Sequence, residues 1–149
     1  MLKVIFLSCL IVALIPGVVH AGKPLDIVDL DQYRWKNRLL FLFSPSVEVL
    51  AYRSLSQELN RNLDGVRDRD LLIFRILEQG PSVMGSQEIS PQAAENLRRH
   101  IGVSREKFTV VLVGKDGGVK LQQSEPVPLA EIFALIDSMP MRQREMRGK

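Results

Sequence analysis

The chain has 149 residues, enough for one domain and short of two, and carries 20 Lys and Arg against 17 Asp and Glu. That near-balance points to no nucleic-acid partner. A single cysteine, Cys9, and two histidines, His20 and His100, leave little material for thiol chemistry or a transition-metal site, so no cofactor and no metal is expected.

Met1 to Ala21 reads as a secretory signal peptide. Lys3 gives a positive start, Val4 to Ile15 is an almost unbroken apolar run, Pro16-Gly17 breaks it, and Val19-His20-Ala21 places a small residue before Gly22. The run is shorter than the ~20 residues of a spanning helix, so no stable membrane span is expected after cleavage, an uncleaved anchor being the competing reading. Cleavage after Ala21 removes Cys9. Residues 22–149 then hold no thiol, which excludes disulfides, redox motifs and a cysteine nucleophile in an exported, periplasmic or secreted product. Lys3 is the only charged residue before Gly22, so the remainder is close to neutral with 19 basic and 17 acidic side chains.

Residues 22–37 form a lead-in segment. Arg38 to Phe43 is a continuous apolar run after one charge, the pattern of a strand covered on both faces. Ser44-Pro45 supplies a capping residue and a proline at the first helical position, and Val47, Leu50, Ala51, Leu55 and Leu59 recur at helical spacing toward Gly65. Asp70 to Leu77 is a second buried strand, and Gln79 to Glu88, with Gly80-Pro81 and Gly85, reads as a loop. Ser90-Pro91 opens a helix carrying Glu95 early and Arg98, Arg99 and His100 late, charges that suit the helix dipole, before Gly102 stops it. Phe108 to Val113, the turn Lys115-Asp116-Gly117-Gly118, and Val119 to Gln123 predict an antiparallel hairpin. A last helix runs from Pro128 to Ser138-Met139-Pro140, and residues 141–149 form a basic, loosely held tail.

The predicted order is β-α-β-α-β-β-α over residues 38–140. The first two strands are parallel through a right-handed crossover and the hairpin completes a mixed four-stranded sheet. This is the arrangement of a thioredoxin-like three-layer α/β sandwich. Other α/β sandwiches with a terminal hairpin share the order.

Four strings carry a resemblance: Tyr33-Arg34-Trp35-Lys36-Asn37-Arg38, Arg69-Asp70, Gly114 to Lys120, and Ile136 to Arg142. Together they resemble the peroxiredoxin-like domain of unknown function of short exported bacterial proteins. Related domains occur in vertebrate extracellular proteins of the sushi-repeat and coiled-coil-domain-containing groups. The resemblance implies a thioredoxin-like fold outside the cell and brings with it no assigned catalytic residue.

In such a fold the working cysteines sit where the first helix begins, because the N–H groups there stabilise a thiolate. Here Ser44-Pro45-Ser46-Val47 occupies that place, with no histidine close by in sequence to activate a hydroxyl. Topology brings a second group together: Trp35, Arg38, Arg69, Asp70, Lys115, Asp116 and Lys120 fall at the opposite sheet edge. One reading is a polar binding surface with an aromatic anchor; the other is a set of surface ion pairs and turn residues that fix the hairpin. The expected role is a non-catalytic binding module for an envelope protein or extracellular component. The alternative is a peroxiredoxin-related enzyme acting without thiols.

Overall fold

The computed structural model describes residues 22–148; the expected signal peptide lies outside the described residues. β1 (Arg38–Ser44) is buried at every position, and alternate residues feed two separate cores. Leu40 and Leu42 join Leu55, Leu59, Ile132 and Ile136 on one face, whereas Leu39, Phe41 and Phe43 join Phe74, Ile76, Ala93 and Leu97 on the other. A period-two chain with apolar residues at every position has no face to give to water, so helices cover both sides.

α1 (Leu50–Arg61), α2 (Leu63–Asp68) and α4 (Leu129–Ser138) form one outer layer; α3 (Pro91–Ile101) forms the other. The sheet between them holds six strands in the order β4-β3-β2-β1-β5-β6. β2 (Leu71–Leu77) runs parallel to β1, with Arg38 opposite Leu71 and Ser44 opposite Leu77. β5 (Thr109–Val113) is antiparallel to β1, and β6 (Val119–Gln123) forms the expected hairpin with β5.

The two strands beyond the expected four come from the segment read as a loop. β3 (Ser82–Met84) and β4 (Gln87–Ile89), three residues each, form a hairpin turning at Gly85-Ser86, with φ 58° at Gly85. Strands this short carry no alternation for a sequence pattern to register, and Gly80-Pro81 masks the entry. Leu25 lies parallel to Ile89 and bonds Glu88 O and Ser90 N, which covers the outer edge of β4.

The first helix also differs from its expected bounds. Ser44 is the last ladder residue of β1, its carbonyl accepting from Glu78 N, so it does not cap the helix. α1 begins at Leu50, with Val49 before it and no side-chain cap. The expected stop at Gly65 falls inside α2, after a break at Asn62 (φ −123°, ψ 38°). Gly65 is there for contact: a Cβ would stand 2.8 Å from the Phe133 ring, on which the Arg69 guanidinium is stacked at 4.1 Å.

The tail is the largest correction. Residues 140–147 form α5 (Pro140–Arg147), begun by a proline that needs no N–H partner, and its Arg142 is only 3% exposed. Charge on a short segment after a proline looks like a solvated terminus until the acidic partners from distant elements are in place.

Candidate functional site

β1 and β2 begin side by side and β5 ends between the same layers, so the topology gathers three chain segments at one pole of the sheet. Arg38, at the first position of β1, is 1% exposed. Its Nη1 donates to Arg69 O (2.9 Å) and Glu145 Oε2 (3.1 Å), and its Nη2 to Glu145 Oε1 (3.2 Å). This bidentate fork is the strong geometry for a guanidinium and a carboxylate. Lys115 Nζ reaches Glu145 Oε1 and Asp70 Oδ2, both at 2.7 Å. Glu145 thus ties α5 to β1 and to the turn after β5.

A second set of pairs closes the same end. Arg69 Nη2 donates to Asp137 Oδ2 at 2.6 Å and its Nη1 to Gly65 O at 3.0 Å. Arg142 donates through Nε to Asp137 Oδ1 (3.1 Å) and through Nη1 to Asp68 O (2.7 Å), with Nη2 on the Asp68 carboxylate. Burial disfavours the charge on Arg142, but Asp68 and Asp137 outweigh it and raise its pKa. Burial likewise opposes ionisation of Glu145, and hydrogen bonds from Lys115 and Arg38 overcome it, holding the carboxyl below the ordinary glutamate range.

Of the residues expected at this pole, Arg38, Arg69, Asp70 and Lys115 share one network. Asp116 and Lys120 form their own pair at 2.8 Å on the rim, where Lys120 first and the Gly118 N–H second hold the Asp116 carboxyl low. Trp35 joins through its backbone alone. Its N–H donates to Lys115 O at 2.6 Å, its φ is 63°, and the residue remains 66% exposed. A left-handed φ is rare for a bulky residue, so the strain is held by surrounding structure in order to project the indole outward.

Sequence reasoning missed Glu145, Arg142, Asp137 and Asp68, the acids and the arginine that complete the network. The available signal was Pro140 followed by Arg142 and Glu145 at helical spacing. A cleft of about 370 Å³ opens beside the network, lined by Lys115, Lys120, Arg144, Met139 and Met141 among others. Two of the strings that carry the resemblance, 114–120 and 136–142, meet in its walls.

At the opposite end of β1, Ser44 is 1% exposed and its hydroxyl donates to Ser46 O at 2.8 Å. Ser46 Oγ accepts from Glu48 N at 3.2 Å. Pro45 and Ser46 are half-buried, Val47 is exposed, and Gln79 N bonds Pro45 O. The segment is a loop stitched to the residues just after β2, and the Ser44 hydroxyl is already donated.

A central β1 flanked by parallel β2 and antiparallel β5, with helices on both faces, defines a thioredoxin-like fold. Solved structures match it: a reduced 2-Cys peroxiredoxin of Plasmodium vivax at a TM-score of 0.59 and 16% identity, covering 78% of this chain and 85% of that one. Thioredoxin peroxidase I of Plasmodium yoelii matches at 0.57 and 17%, covering 82% of each. By sequence the chain belongs to the family described as Domain of unknown function (DUF4174), matched over residues 29–145.

Its relatives include sushi repeat-containing protein SRPX2 of Xenopus laevis, 32% identical over 120 residues, and coiled-coil domain-containing protein 80 of Danio rerio, 32% identical over 133. Each alignment covers 78% of this chain but only 26% and 15% of the respective relative. Among the described residues no helix is long and apolar enough to cross a membrane.

Proposed function

We propose that this protein is an exported, non-catalytic binding module that uses the Trp35–Lys115–Lys120 pole to hold an envelope or extracellular protein. The observation that carries the reading is Trp35. Trp35, two-thirds exposed on a left-handed backbone, contributes little to the core, yet its backbone N–H donates to the carbonyl of the same Lys115 whose ammonium sits in the buried charge network. Exposed aromatics on rigid backbone are favourable anchors for protein partners. The peroxiredoxin-like fold favours the same reading by what stands at its reactive position: Ser44 is buried and its hydroxyl occupied, and residues 22–149 contain no cysteine. Kinship with the sushi-repeat and coiled-coil-domain-containing proteins supports a role outside the cell.

The test is retention of a partner from envelope or culture-medium extract on immobilised protein lacking residues 1–21. A stoichiometric partner retained by the wild type and lost with Trp35→Ala and with Lys120→Glu, both still folded by circular dichroism, is the expected result. Retention indifferent to both changes, or turnover of peroxide or a disulfide substrate that Ser44→Ala abolishes, overturns it. Intact mass of the exported protein is expected to begin at Gly22.

A further inference from the structure

A second cleft, of about 360 Å³, opens at the other end of the sheet, beyond Leu77 at the end of β2 and between the β3–β4 hairpin and α3. β1 has seven residues, which sets the two clefts about 20 Å apart along the strand, so this site is independent of the Trp35 pole. Arg98, from the last turn of α3, lines it with a side chain only 4% exposed. Its place in sequence suits a solvent-facing partner for the helix dipole; the structure buries it instead.

Arg98 is short of acceptors. Its Nε is buried with no hydrogen-bond partner, and among the described residues the nearest carboxylate oxygen, Glu78 Oε2, stands 3.5 Å from Nη2. That is beyond a good charge-assisted bond. Glu78 is shared, its Oε1 pairing with Arg105 at 3.1 Å, and Arg105 also holds Glu95 at 2.8 Å. The Phe43 ring lies 5.8 Å from the guanidinium. Arg38 and Arg142, as deeply buried, each donate at least three side-chain hydrogen bonds, although the Nε of Arg38 is likewise buried without a partner. A buried guanidinium short of acceptors is costly, and this one lines a cavity.

We propose that this cleft binds a monocarboxylic acid with an apolar body, its carboxylate seated on the guanidinium of Arg98. The planar fork of arginine matches a carboxylate in bidentate fashion. Glu78, Glu88 and Glu95 also line the cleft and repel a doubly charged oxyanion more strongly than a single charge. Leu77, Pro81 and Ile89 supply apolar wall for the remainder of the ligand. The carboxylate can belong to a free acid or to the C-terminus of a peptide.

The experiment is a titration of the protein with benzoate and hexanoate, followed by the Arg98 Nε–H resonance and by thermal unfolding. Benzamide and inorganic phosphate serve as controls, with a short apolar peptide carrying a free or amidated C-terminus alongside. The expected result is a saturable shift of Arg98 Nε–H and a raised Tm with the carboxylates and with neither control. A response to the free-ended peptide but not the amidated one assigns the carboxylate to a chain end; a response to the small acids alone assigns it to a free acid. Arg98→Lys is expected to weaken binding about tenfold by losing one of two charge-assisted bonds. Glu78→Gln keeps Arg98, removes the competing carboxylate, and is expected to tighten binding several-fold. No saturable shift at millimolar ligand, an equal response to benzamide or phosphate, or weaker binding in Glu78→Gln overturns the proposal.

Discussion

Trp35 and Asp70 are the two non-glycine residues with positive φ among the described residues, and both touch Lys115. Asp70 is easily accounted for, since aspartate tolerates this region and its carbonyl accepts from Arg38 N at 3.0 Å. Trp35 is not, because a bulky side chain in the left-handed region is disfavoured by about 1–2 kcal/mol. If the indole is there for a partner, Trp35→Gly relieves that strain while removing little buried surface. Chemical denaturation is therefore expected to show stability unchanged or raised by up to about 1 kcal/mol, the glycine's extra unfolded-state entropy offsetting part of the relief. A loss greater than that gives the indole a structural role and removes the main support for a binding surface. Sequence alone named Trp35 and placed it at the right pole. It did not reveal the strained backbone, which arises from a bond to a turn eighty residues away.

Legibility at the level of elements followed burial. β1, β5 and α3 read clearly because long apolar runs and the Ser90-Pro91 start are local signals, and Ser90 Oγ does accept from Ala93 N. β3 and β4 were not legible, being three residues each and held by partners rather than by pattern. α5 was hidden for a different reason: its stability comes from Asp68, Asp137, Arg38 and Lys115, none of them local except Asp137. A chain ending at Met139 separates the two views of this segment. If α5 completes the charge network, its removal leaves Arg38 and Lys115 without Glu145, and urea unfolding is expected to show a loss near the lower end of 3–5 kcal/mol, because water then reaches the freed charges. A frayed tail predicts a change within about 0.5 kcal/mol.

The whole molecule places its most buried charges at the two ends of a sheet whose central strand, β1, is apolar from Leu39 to Phe43. At the Glu145 end a carboxylate is held by Arg38 and Lys115, so its contribution to stability has a defined dependence on pH. The folded state holds the Glu145 carboxyl below its ordinary value near 4.5, burial being outweighed by Lys115 and Arg38. The unfolded chain then binds more protons than the folded one between those two values. The stabilisation is fully present above the ordinary glutamate value and is lost as pH falls through the depressed one. Arg142 shifts upward from a value already far above neutrality, so it leaves this window untouched. The depressed Asp116 acts in the same sense but on an exposed pair screened by solvent. Comparing wild type with Glu145→Gln by urea unfolding isolates the effect, since glutamine keeps the shape and lacks the charge. The gap in stability between them is expected to be constant from neutral pH to about 5.5, a unit above the ordinary value, and to narrow steadily below that as the wild type loses its carboxylate. A gap that persists undiminished in acid means that Glu145 acts through packing, and that the ion pairs at this pole fix the position of α5 without contributing charge-dependent stability.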